Sequence, residues 1–88
     1  MIIDFHTHFG EGQGPIEDLV DGMDEQDIDM AAVTAVVTPG GDNGRAANAL
    51  VYEAVQSHPD RLVGLACVVP YLTDAAEMLE YYVQAYGF

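Results

Sequence analysis

The run Met30-Ala31-Ala32-Val33-Thr34-Ala35-Val36-Val37 does most to narrow the folds open to this chain. It is apolar almost throughout and barely alternates, which is the pattern of a parallel strand covered on both faces. Parallel strands have to return through a crossover, so helices are expected on either side of the run. Pro15 suits a first helical position, and Ile16, Leu19, Val20 and Met23 then recur at helical spacing. Ala47, Leu50, Val51, Ala54, Val55 and His58 repeat that spacing until Pro59 ends it. A third stripe, Ala75, Met78, Leu79, Tyr82, Val83 and Tyr86, follows Asp74, which forms an aspartate capping box with Glu77, and Gly87 suits the left-handed residue past the helix end.

Two shorter apolar runs complete the pattern. The sequence predicts strands over residues 2–8, 30–37 and 62–69 and helices over 15–26, 44–58 and 74–86. This is an α/β fold of three consecutive βα units with parallel strands. In such sheets the carboxyl ends of the strands carry the functional groups.

The first strand ends in His6-Thr7-His8. Side chains on a strand alternate faces, so Asp4, His6 and His8 are expected on one face and Ile3, Phe5 and Thr7 on the other. Cα atoms two residues apart on a strand lie about 6.5 Å apart, close enough for both imidazoles to reach one ion at the ~2.0 Å that zinc prefers. Asp4, one pleat deeper, is then placed to accept an imidazole N–H and fix the tautomer. The pair reads as half of a metal site; the other reading is two histidines that cap a strand end.

Three further residues bear chemistry. Arg45 follows the second loop on the same edge and either clamps a substrate carboxylate or pairs with a neighbouring acid. His58, at a helix end, reads as a capping or core-edge residue rather than a ligand. Cys67, inside an apolar strand, reads as a structural thiol rather than a nucleophile. The glycines at 10, 12 and 14 are spaced G-x-G-x-G with Glu11 among them, which fits a flexible loop and not a dinucleotide fingerprint.

Composition limits the partners. Fifteen acidic residues face two arginines, for a formal charge of −13. Such a surface repels nucleic-acid phosphates and anionic membranes, and it suits either a high-salt cytoplasm or an ordinary acidic protein. No apolar run approaches the ~20 residues of a membrane span, Met1 leads straight into the strand, and the single cysteine fits a reducing compartment, so a cytoplasmic protein is expected. At 88 residues the core is small, burying roughly 60% of the unfolded surface.

Taken in order, the opening strand through His8, the segment Met23-Asp24-Glu25-Gln26-Asp27-Ile28-Asp29, and the stretch from Asn48 through His58-Pro59-Asp60-Arg61 to Val69-Pro70 resemble the start of an amidohydrolase-superfamily barrel, in the amidohydrolase-related group of the aminocarboxymuconate-semialdehyde decarboxylase type. The resemblance spans the chain, with one departure at Asp27, where relatives usually carry glycine. It implies the N-terminal part of a (β/α)₈ TIM barrel and a divalent metal ion, zinc above all, held by His6 and His8. It further implies a metal-dependent hydrolase or non-oxidative decarboxylase acting on a small molecule, such as a carboxylate. The later ligands and the acid–base residues of that family come from strands absent here. The expectation is therefore a truncated chain, silent by itself, that self-associates through open sheet edges. A non-catalytic small α/β domain is the alternative.

Overall fold

The computed structural model describes residues 1–88. Six elements follow in the expected order: β1 (Ile3–His8), α1 (Ile16–Glu25), β2 (Met30–Thr34), α2 (Arg45–Ser57), β3 (Leu62–Leu65) and α3 (Ala75–Tyr86). The strands form one open parallel sheet in the order β1-β2-β3. β2 is central and Ala31, Ala32, Val33 and Ala35 are all buried, but the helices cover one face of the strand where the run predicts cover on both.

Two strands are shorter than their apolar runs. The β2–β3 ladder ends at the pair Thr34–Leu65, so Ala35–Val37 and Ala66–Val69 continue with no strand beside them. A hydrophobic run records burial, whereas a strand also needs a hydrogen-bonding neighbour.

One face of the sheet is packed and the other is open. Ala31, Val33, Ala35 and Leu62 lie under the helices, against Ile16 and Met23 of α1 and Val51 and Ala54 of α2. Val63 and Leu65 alternate onto the opposite face and remain 47% and 42% exposed. The apolar stripe of α3 is likewise only half used: Tyr82 is buried, but Leu79 and Val83 stay exposed. No helix is long and apolar enough to cross a membrane.

The helix ends differ in kind. Past α1, Asp27 adopts the left-handed conformation at φ 55°, and the Ile28 N–H reaches back to the Met23 carbonyl at 2.9 Å. This is a Schellman end, with aspartate where glycine is usual. Arg61 braces it: Nη2 meets the Asp24 carboxylate at 2.8 Å and donates to the Ile28 carbonyl at 3.0 Å, while Nε donates to the Asp29 carbonyl at 2.8 Å. Gly87 closes α3 in the left-handed region at φ 72°. The capping box at its start does not form, because the Asp74 carboxylate makes no cap hydrogen bond and turns toward Arg45.

Candidate metal centre

His6 and His8 sit on the last turn of the pleat in β1, at the carboxyl end of the parallel sheet. Their rings meet edge to face, with centroids 4.6 Å apart and planes at 88°, and both side chains are exposed. Two exposed imidazoles this close offer nitrogen donors of the kind a borderline-soft divalent ion takes.

The neighbouring strand fixes the end of β1. His8 stands in register with Thr34 of β2, and the Phe9 N–H donates to the Thr34 carbonyl at 3.1 Å. In the loop beyond, Gly12 and Gly14 take left-handed φ of 82° and 80°, a conformation that glycine adopts without a Cβ clash.

Asp4 takes a different part from the one its spacing implied. The ladder pairs Asp4 with Ala31 and Thr7 with Val33, so β1 carries one extra residue between them. This bulge resets the alternation. Asp4 falls on the face of Ala31 and Val33, while His8 pairs with Thr34 on the other. Its Oδ1 accepts the backbone N–H of His6 at 2.9 Å, and that bond holds its carboxyl below the usual aspartate range. Asp4 therefore caps the bulge that presents the histidines, and its hydrogen bond goes to the His6 backbone rather than to an imidazole.

The remaining candidates do not converge on the pair, and no third His, Cys, Asp or Glu joins it. Arg45 opens α2 and meets Asp74 at 3.4 Å, both side chains about half exposed, with the Met78 sulfur at 3.3 Å. His58 closes α2 at the opposite edge of the sheet; its backbone N–H bonds the Ala54 and Val55 carbonyls, and its Nε2 lies 3.7 Å from Glu17. Cys67 lies past the end of β3 and is half-buried. The surprise is Asn48, fully buried on α2, whose side-chain amide holds both the N–H and the carbonyl of Cys67. A polar residue within a helical apolar stripe was the only sign of it in the sequence. Compared with known protein families and with curated protein sequences, the chain matches none of them.

Proposed function

We propose that this chain is the metal-binding N-terminal part of a (β/α)₈ enzyme of the amidohydrolase-related type, a metal-dependent hydrolase or non-oxidative decarboxylase of a small molecule. The observation that carries this reading is the edge-to-face pair His6–His8 at the carboxyl end of a parallel strand. These two residues would hold the divalent ion, zinc by preference. The ion would supply Lewis-acid polarisation of the substrate or a water acidified towards pH ~7. The bulge capped by Asp4 sets the position of His6, and the Phe9–Thr34 bond sets that of His8.

The rest of the barrel is inferred from uncovered surface. Purely parallel sheets occur almost only with both faces buried, yet Val63 and Leu65 on the open face, and Leu79 and Val83 on α3, remain exposed. Further βα units beside β3 would cover both sets and supply the missing ligands and the general base. A second reading, a non-catalytic α/β domain, is favoured by the lack of a third metal-binding side chain at the pair.

Calorimetric titration with zinc separates the two. Weak binding is expected, lost in His6→Ala and in His8→Ala, because two imidazoles leave half of a tetrahedral site to solvent. Binding unchanged in both variants would remove the metal centre and leave the non-catalytic domain.

A further inference from the structure

We propose that Thr34 is a third side chain of the His6–His8 site, presenting its hydroxyl to the ion or to its hydration shell; this rests on the metal-binding reading above. Thr34 and His8 are register partners, so their Cα atoms stand about 4.8 Å apart across the ladder. Residues paired in this way project to the same side. Val33 is fully buried in the core beneath the helices, which turns Thr34 to the open face where His8 lies.

The neighbours leave Thr34 alone in its chemistry. On the open face, β2 offers Met30, Ala32 and Thr34, and β3 offers Val63 and Leu65, so Thr34 carries the single polar side chain of the two strands there. Its backbone is pinned: the Phe9 N–H bonds its carbonyl at 3.1 Å, and Ala35 beyond it is 2% exposed. The side chain of half-buried Thr34 therefore has a fixed origin beside His8. A hydroxyl is a weak ligand for zinc but a good partner for a hydrated ion, and this adds an oxygen to a nitrogen pair that has no third imidazole, thiolate or carboxylate.

Cobalt(II), a visible-absorbing stand-in for zinc, tests the assignment in the 88-residue chain. The wild type, Thr34→Val, Thr34→Ser and His8→Ala are titrated with the metal, with circular dichroism and thermal midpoints recorded for each. Valine keeps the β-branched shape, so a threonine present only for packing would tolerate it. The expected result is about fivefold weaker cobalt affinity and an altered absorption band in Thr34→Val, the scale of one lost hydrogen bond, with both restored in Thr34→Ser. If Thr34→Val binds as the wild type does while His8→Ala abolishes binding, the threonine is excluded and the histidine pair stands. If no binding depends on His8, both assignments fall.

Discussion

The side-chain amide of Asn48 grips the backbone of Cys67 at two points: Oδ1 accepts the Cys67 N–H at 3.0 Å and Nδ2 donates to the Cys67 carbonyl at 2.8 Å. It also donates to the Gly44 carbonyl at 2.8 Å. A peptide group of a neighbouring strand would offer the same donor and acceptor, so the amide extends the sheet's hydrogen bonding where the β2–β3 ladder stops. Asn48→Ala leaves the part-buried N–H and carbonyl of Cys67 unpaired and should cost about 2 kcal/mol in urea denaturation. Faster reaction of Cys67 with a thiol reagent should accompany the loss. An unchanged denaturation midpoint would show that water replaces the amide without cost.

Asp4 ties the β1 bulge to pH. Its carboxyl is held below the usual 3.8 by the His6 N–H, so it favours the fold at pH values above that figure. The contribution fades as pH falls through the lowered native value. Asp4→Asn should therefore flatten the acid side of the stability profile below about pH 4, and zinc affinity should change less than twofold. A loss of affinity comparable to that in His8→Ala would restore Asp4 as an imidazole partner.

Helix stripes were legible because they register one face of a 3.6-residue period, and the buried positions Ile16, Val20, Met23, Val51, Ala54 and Tyr82 all fall on them. The parallel sheet followed from the run at Met30 and the alternation of strands with helices; the order of the strands across it did not. Strand ends were not legible, since Ala35–Val37 and Ala66–Val69 are apolar whether or not a neighbour pairs with them. The histidine pair was visible in its spacing. The bulge beneath it was not: one inserted residue leaves no mark in the residue types yet moves Asp4 to the other face. Asn48 and Thr34 act through partners 19 residues away and on an adjacent strand, beyond what local spacing carries.

Asp27 offers a direct test of the Schellman end. At φ 55° an aspartate pays a steric penalty that glycine does not, although Asp tolerates this region better than most residues. Asp27→Gly should stabilise the fold by about 0.5 kcal/mol, the steric relief being partly offset by the greater freedom of glycine in the unfolded chain. Asp27→Val, β-branched at a positive φ, should destabilise by 1 kcal/mol or more on the same scale. Equal stability of the three chains would mean that α1 ends differently in solution.

Charge opposes the compact state of this chain. The two arginines are both engaged, Arg61 with Asp24 at 2.8 Å and Arg45 with Asp74 at 3.4 Å, so little positive charge remains to offset a formal −13. The other carboxylates repel one another across a small body with 15 of its 88 residues buried, leaving a thin apolar core to resist them. Raising the ionic strength from 0.01 M to 1 M shortens the screening length from about 30 Å to about 3 Å. Repulsion should fall, the folded fraction by circular dichroism should rise with potassium chloride, and the thermal midpoint should climb by several degrees. The same screening acts between copies. The outer edges of β1 and β3 have no strand beside them, so sedimentation should find self-association at high salt and monomer in dilute buffer. A folded fraction that is flat or falls with salt would mean that carboxylate repulsion does not limit this fold.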